Sequence, residues 1–555
     1  LKAEDIIKRY ESAKAARYNV EAMWQYMEQF VVPYRADFYH TQSEEGKNWR
    51  KRDIYDSTAP EAADALAASL QANLISPSVR WYDLRFNAEE LNDDDEAKEW
   101  LEACSDVMFM ELQQSDFSLD SAESFLDLVG LGSMCLIEEE DVDSGSVELD
   151  FSSVPIEECY FEVGSKGQLL RFYRKLEWTA LQCADKFGVN DLPEKIKKAY
   201  EDPNSAAKKF EIIFCIYKRD IGNLDVDVSK PIAKRARPFG LKYVLITDKT
   251  ELGEEGGYYE MPVFFCRWRT TAKSIWGNGP GFKILATIMD VNEMAEITLE
   301  KAAGDVEPPL MTTQRGIISQ LDRSRGGLTV VGAMDEVAEL PGRGDANLSS
   351  LEIQDLRSQI RRAFYADQLE LKESPAMTAT EVNVRYELMQ RLLGPTLGRL
   401  MSDFLNPLIT RTFNILYRAG KFPPMPQKVR DNRGQVNIEY VGPLPRAHKN
   451  DIARNVAGWL GTGGQLAETW PQVLDIPDID AAFKMIGEMS GVPAKAMLGD
   501  KEIKKNREER AKKQADREKL VDLEQAGKAG QAIAGAAESI PPEAIAAMQG
   551  AINGQ

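Results

Sequence analysis

Apolar positions recur at steps of three and four from the start of the chain. Ile6, Tyr10, Ala13, Val20, Trp24 and Met27 mark one face of an amphipathic helix over 4–30. Arg17 breaks that stripe, although its aliphatic stem can lie along an apolar surface. Pro33 limits continuation. Residues 42–53 are polar and read as a loop. Asp56-Ser57-Thr58-Ala59-Pro60 opens a second helix, which carries Ala63, Leu66, Ala67, Leu70 and Leu74 and stops at Ser76-Pro77. Trp81 to Phe86 alternates like a strand. Asp93, Asp94 and Asp95 precede a helix over 95–115, where acidic residues favour the positive helix end, and this capping reading outweighs a metal site. From 130 to 270 the pattern changes to strand-like runs at Ser133–Glu139, Ser146–Phe151, Gln168–Lys175, Phe210–Tyr217, Leu241–Asp248 and Val263–Trp268. Asp141-Val142-Asp143-Ser144-Gly145 reads as a hairpin turn, because its Gly falls one position short of the place a calcium loop requires.

Longer helices follow. Phe282, Leu285, Ile288, Met289, Asn292, Ala295 and Leu299 predict one helix over 281–303, about 35 Å long at ~1.5 Å per residue. Gly304 and Pro308-Pro309 should end it. Residues 310–350 hold strand-like pieces such as Leu328 to Val331 between turns. Leu351, Leu356, Ile360, Ala363 and Phe364 mark a helix over 351–366, and a polar stretch containing Pro375 comes next. Val384, Leu388, Leu392, Leu397, Leu400, Phe404, Leu408, Phe413 and Leu416 stripe a very long helix over 379–419, with kinks expected at Gly394-Pro395 and Asn406-Pro407. Beyond a Pro-rich linker at 422–426, a strand at Val436–Val441 leads into helices from 446 to 525. Residues 501–520 carry nine basic and five acidic residues, which favours a solvated helix over a nucleic-acid patch. The last thirty residues are rich in Ala, Gly and Gln and are expected to be loosely ordered.

Composition narrows the chemistry. At 555 residues the chain suggests three or four domains of ~150 residues. Its net charge of −21 argues against a free DNA- or membrane-binding domain. It has no apolar run long enough for a transmembrane helix, and its first residues form no signal peptide. The absent initiator Met suggests a trimmed sequence. The six cysteines lie at least 24 residues apart, so no CxxC zinc or redox motif is present, and buried thiols in a reducing cytoplasm are expected. The only histidines are His40 and His448, a poor supply for nucleophilic or metal chemistry. Gly277, Gly279 and Gly281 fail the dinucleotide fingerprint through their spacing and Pro280, and no P-loop occurs. Neither an enzyme nor a cofactor is expected.

The order of a helix, a β insertion, a second helix, a polar loop and a long kinked helix resembles the portal proteins (head-to-tail connectors) of short-tailed bacteriophages, the podoviruses. The residues that carry the resemblance are spread along the chain. They include Trp24, Pro33 and Arg35; Tyr55-Asp56-Ser57-Thr58-Ala59; Ser76-Pro77 and Trp81; and Trp276-Gly277-Asn278-Gly279-Pro280-Gly281. Further along come Lys301-Ala302-Ala303, Glu307-Pro308-Pro309-Leu310, Met377-Thr378-Ala379-Thr380-Glu381-Val382, Leu392-Leu393-Gly394-Pro395, Gly398-Arg399-Leu400 and Pro407-Leu408-Ile409. Each motif alone is weak; their order over about 400 residues makes the likeness specific.

The resemblance implies an α+β, mainly helical portal fold assembled as a ring. The wing, with the N-terminal helices and β-rich part, would span 1–280. Stem helices would cover 281–303 and 351–366, with the clip between them at 304–350. The tunnel loop would be 367–379, the long kinked wing helix and following strand 380–445, and a crown or barrel-like helical region with a flexible tail 446–555. A homo-dodecamer at one capsid vertex would dock the terminase, pass double-stranded DNA inward, attach the tail and release the genome. Other implied partners are the major capsid and scaffolding proteins, a tail adaptor or nozzle, and internal core proteins, with no membrane. The implied location is the virion, and the host cytoplasm during assembly. The alternative is another structural virion protein, such as a tail adaptor or internal core protein.

A mostly acidic wall is compatible with sliding DNA, because many Lys and Arg would retain phosphate through counterion release. Gln368, Glu370, Lys372, Glu373, Ser374 and Met377 would line the tunnel loop, with Lys372 compensated by its acidic neighbours. Lys301, Arg357, Arg361 and Arg362 would face the lumen or a neighbouring subunit. Pairing of the three arginines with residues such as Glu300 or Asp355 is favoured over phosphate contact. Arg315, Arg323 and Arg325 are candidates for partner docking in the clip, or lie on solvated turns.

Overall fold

The computed structural model describes residues 2–33, 35, 54–75, 77, 80–92, 94–141, 148–165, 167–205, 207–219, 232–271, 274–306, 310–312, 337–339, 346–366, 393–431, 436–440, 443–467, 469–489, 492, 503–515 and 517. It is α+β and mainly helical. Two compact units emerge where length alone suggested three or four domains: Leu1–Leu91 with Trp100–Ala447, and Asn92–Glu99 with His448–Gln555.

In the first unit, helix α1 (Ala3–Phe30) precedes α2 (Thr58–Leu74) and strand β1 (Tyr82–Phe86). Helices α3 (Glu89–Asn92), α4 (Asp95–Gln114) and α5 (Phe117–Gly130) lead to β2 (Ser133–Asp141), β3 (Glu148–Ser153), β4 (Cys159–Val163) and β5 (Leu169–Thr179). Two short helices, α6 (Ala180–Phe187) and α7 (Glu194–Glu201), precede β6 (Lys209–Lys218), β7 (Phe239–Leu245), β8 (Thr250–Tyr258) and β9 (Val263–Arg267). Among the described residues all the sheets are antiparallel. One has five strands in the order β4-β5-β6-β7-β8, and another has three in the order β3-β2-β9. Asp141 pairs with Glu148, so the expected hairpin between β2 and β3 forms, although residues 142–147 lie outside the described residues.

The alternation on β4 to β7 provides an apolar face on which α1 lies. Ile6, Ile7 and Tyr10 pack there against Tyr160, Tyr173, Ile213, Cys215 and Val244. Arg17 does more than lay its stem on this surface. The whole side chain is buried, and its guanidinium donates to the carbonyls of Ile156, Glu157 and Cys159 and to the Tyr160 hydroxyl. A buried cation is tolerable there because Nε pairs with the Glu21 carboxylate at 2.7 Å and the remaining donors are met by carbonyls that would otherwise need partners of their own. All six cysteines are buried free thiols.

A short 3-10 turn, Pro280–Ile284, opens α8 (Leu285–Val306). The helix therefore starts one turn later than the periodicity suggested and runs past Gly304, which a helix interior tolerates at modest cost. Strands β10 (Leu310–Thr312) and β11 (Val337–Glu339) pair antiparallel between α8 and α9 (Ala346–Ala363). The strand expected at Leu328–Val331 lies outside the described residues. Tyr365, at φ 59, turns the chain immediately after α9.

Residues 393–400 are helical, followed by a widened π-type turn at Met401–Leu405 and a helix at Asn406–Arg418. The kink expected at Asn406-Pro407 takes this form. Pro407 has no N–H to donate, and the Asn406 N–H reaches back to the Met401 carbonyl. Strand β12 (Val436–Tyr440) pairs with β1 across more than three hundred residues. In the second unit, the described residues are mainly helical: most of Pro443–Ala467, then Ile479–Met489 and 503–515.

Candidate functional site

The helical pair α8–α9 flanks the excursion expected to meet partners, and it is anchored in the first unit at two places. The anchor begins at the glycine run. Gly132, at φ 77, brings the chain between α5 and β2 against the backbone of Gly277 to Gly279. A Cβ on Gly277 would fall onto the Gly132 carbonyl oxygen, one on Gly279 onto the Val129 carbonyl, and one on Gly281 onto the Met27 side chain. The Gly277 N–H donates to the Ser133 hydroxyl at 2.9 Å. Trp24 caps the joint. Its indole donates to the Leu131 carbonyl at 3.1 Å, and its ring meets Trp276 edge-on at 4.8 Å. The glycines are thus a backbone-to-backbone contact that sets the direction in which α8 leaves the β-rich body.

A second fastening holds the pair sideways. Leu285, Ile288, Val291 and Ala295 of α8, and Ile353, Ile360 and Phe364 at the α9 end, are buried. Asn292, on the same stripe, accepts the backbone N–H groups of Tyr55 at 2.7 Å and Asp56 at 3.3 Å through Oδ1. Asp56 is buried. One of its oxygens accepts the Thr58 N–H, and the other takes the Arg357 Nε–H at 2.7 Å, with Nη2 at 2.6 Å. Tyr55-Asp56-Ser57-Thr58 therefore ties α2, α8 and α9 together. Facing away from the buried stripe, α8 exposes Asp290, Glu293, Ile297 and Glu300.

The long helix is fastened by buried charge. Arg411 donates to the Glu138 carbonyl at 3.1 Å and the Glu260 carbonyl at 3.2 Å, and Thr412 donates to the Glu138 carboxylate at 2.7 Å. Arg418 bridges to Glu260 at 2.7 Å and to Glu140 at 3.4 Å. Burial pushes the Glu138 carboxyl up to about 7, against the pull of Arg411. Asp127, buried and paired with Arg35, is also pushed up to about 7 by burial. An open pocket beside the π-type turn is lined by Glu260, Met261, Ser402, Asn406, Pro407, Thr410 and Arg411. Glu260 and Arg411 there are already committed to each other and to Arg418 or Glu138.

The residues singled out from sequence fall into three groups. Arg357 is fixed within its own chain by Asp56. Arg361 and Arg362 are exposed near the α9 end, Lys301 is half-buried late in α8, and Gly394 and Pro395 are exposed in the helix over 393–400. Arg315, Arg323 and Arg325, together with Gln368, Glu370, Lys372, Glu373, Ser374 and Met377, lie outside the described residues. The sequence reading missed the Glu138–Arg411–Glu260 cluster. Its signal was present as the acidic run Glu138-Glu139-Glu140-Asp141 directly after the apolar Met134-Cys135-Leu136-Ile137, and as Arg411 beside apolar positions of its helix. Among the described residues no group of His, Cys, Asp and Glu is arranged to hold a metal ion, and no helix is long and apolar enough to cross a membrane.

The family described as bacteriophage head to tail connecting protein matches residues 3–498. A probable portal protein of Bordetella phage BPP-1 is 25% identical over 530 residues, covering 94% of this chain and 93% of its own length. The portal protein of Salmonella phage epsilon15 is 26% identical over 566 residues, covering 99% and 98%.

Proposed function

The chain belongs to the family of bacteriophage head-to-tail connecting proteins and acts as a portal-type connector, and on that premise we propose that twelve copies close into a ring at one capsid vertex. The observation that carries this reading is end-to-end likeness: the two portal relatives align over almost their whole length. In this reading the ring docks the terminase, admits double-stranded DNA, and later holds the tail and lets the genome out. Capsid and scaffolding proteins meet it on the head side, and adaptor, nozzle or core proteins meet it elsewhere.

Within the ring, residues 281–303 and 351–366, which take in most of α8 and α9, serve as the stem, residues 304–350 as the clip, and 367–379 as the tunnel loop around the duplex. The glycine joint and the Asp56 fastening support this assignment, since a channel wall must keep its angle while DNA moves past. The acidic outer face of α8 supports it too, because DNA then finds few cations to hold it. The tunnel loop carries Asp367, Glu370 and Glu373 against Lys372, so it would act sterically and touch DNA only transiently.

Native mass measurement and axial averaging of electron micrographs test the ring. Twelve copies, or thirteen in an overfilled ring, around a central hole are expected. A sixfold or monomeric particle would overturn the reading in favour of a tail adaptor or other virion component.

A further inference from the structure

The second unit presents apolar helix faces that its described residues leave uncovered. Along Pro443–Ala467, Ile452, Val456, Trp459, Gly463 and Leu466 recur at alternating steps of four and three, the heptad seam by which one helix packs on another. Yet Ile452, Trp459 and Leu466 are exposed, Trp459 by 53%. Gly463 has open space where a Cβ would stand, which leaves room for a close-packed partner. The helix Ile479–Met489 repeats the situation. Ile479, Phe483 and Ile486 share one side, no described residue of the helix is buried, and Phe483 is 75% exposed. In the first unit, by contrast, Trp24, Phe125 and Phe404 are all at 0%.

We propose that the seam of Pro443–Ala467 in one copy docks on the Ile479–Met489 face of the next copy. The proposal rests on the multi-copy reading above and names the surface through which neighbours meet. Two different apolar helix faces on one chain, both exposed, form a heterologous pair. Such a contact repeats head to tail from copy to copy, and it closes into a ring when the rotation allows.

The exposed surface is shared between the two faces. At ~200–250 Å² per aromatic side chain, Trp459 leaves about 130 Å² in contact with water on one face and Phe483 about 150 Å² on the other. Each is about a sixth of the ~800 Å² one partner gives to a stable interface, and Ile452 and Leu466 add to the first face and Ile479 to the second. Residues 518–555 are a poorer cover. They contain no aromatic residue, and fifteen of the thirty-eight are Ala or Gly.

Crosslinking tests the contact without depending on its energy. The six native cysteines are buried, so the background with a short bismaleimide is low. The full chain carrying both Thr462→Cys and Ala482→Cys, which flank the two faces and leave Trp459 and Phe483 in place, should give a ladder of covalent multimers, and each single variant should give none. Trp459→Glu should lower the denaturant concentration at which assembled protein releases subunits, with the secondary structure of the free subunit unchanged. A chain ending at Arg517 should still give the ladder. A crosslink confined to single chains would mean the two helices close on each other, and a ladder lost in the shortened chain would assign the seam to the tail; either overturns the proposal. Rings by native mass with no ladder from the double variant would overturn this contact alone. Wild-type protein that never assembles would overturn the multi-copy reading itself.

Discussion

Replacing Glu138 by Gln should flatten the dependence of stability on pH. The carboxyl is fully buried on β2, and its proton affinity is raised by that burial more than Arg411 and the Thr412 hydroxyl lower it; Glu140 and Glu260 push the same way. A carboxyl raised from its ordinary 4.5 to about 7 binds its proton more tightly folded than unfolded. Below the lower value both states are protonated and nothing is lost. Between the two values the unfolded chain releases the proton while the folded chain keeps it, so stability falls as pH rises. Above the upper value the loss is constant. At ~1.4 kcal/mol per tenfold change in proton affinity, the loss attributable to Glu138 is about 3 kcal/mol.

Asp127, raised from 3.8 to about 7, loses stability over a similar interval with the same sign, and Asp64 and Asp120, also raised by burial, add to the wild-type slope. Glu138→Gln removes its own share and keeps an oxygen to accept from Thr412. The assay is urea unfolding of wild type and variant at about pH 5 and about pH 8. The wild type should be less stable at the higher pH, and the variant should show a difference smaller by about 2.5 kcal/mol, since part of the loss has already occurred at pH 5. An unchanged difference would mean that Arg411 compensates the buried charge fully, and the reasoning would fail.

Two further outcomes test the fastenings of α8 and α9. Gly277→Ala should lower stability by about 1–3 kcal/mol, because the added methyl meets the Gly132 backbone, which has no side chain to swing aside. Thermal unfolding followed by circular dichroism reads this, and a wild-type midpoint would show that the joint can open freely. Arg357→Ala should cost about 1 kcal/mol in the same measurement, whereas Arg361→Ala should cost almost nothing. Equal effects would mean that the Asp56 pair contributes no more than a surface charge.

Much of the element order was legible because it rests on local periodicity. Ile6, Tyr10, Trp24 and Met27 gave α1 almost to its ends, and Val436–Val441 anticipated β12. Strands β4 and β8 escaped because Cys159–Val163 is short and Thr250–Tyr258 is rich in Gly and Glu. Helix α5 escaped because Phe117–Gly130 follows α4 closely, without a Pro or Gly to separate them. What sequence could not show were pairings across long separations. Asp56 looked like the start of a helix, and Arg357 like a charge for a neighbour or for DNA. Only the fold reveals that they serve each other. Arg17 likewise looked like a break in the stripe whose stem alone could lie on an apolar surface, since its own helix gives no sign of the three carbonyls at Ile156, Glu157 and Cys159.

Those long-range pairings bear on how a connector of this kind is made. Arg357 reaches Asp56 across 301 residues, Arg411 reaches Glu138 across 273, and Trp100 donates to the Pro423 carbonyl across 323. Each closes only when the later segment has been synthesised, so α8 and α9 gain their fixed angle late. The exposed helix faces at Pro443–Ala467 and Ile479–Met489 come later still along the chain. This order has a physical advantage. A ring closes only if every subunit presents its faces at one angle, and an interface formed before the Asp56 and Arg411 fastenings would join subunits of variable shape. Placing sticky surfaces after the residues that complete the rigid body lets each copy settle before it finds a neighbour, and favours closed rings over open chains.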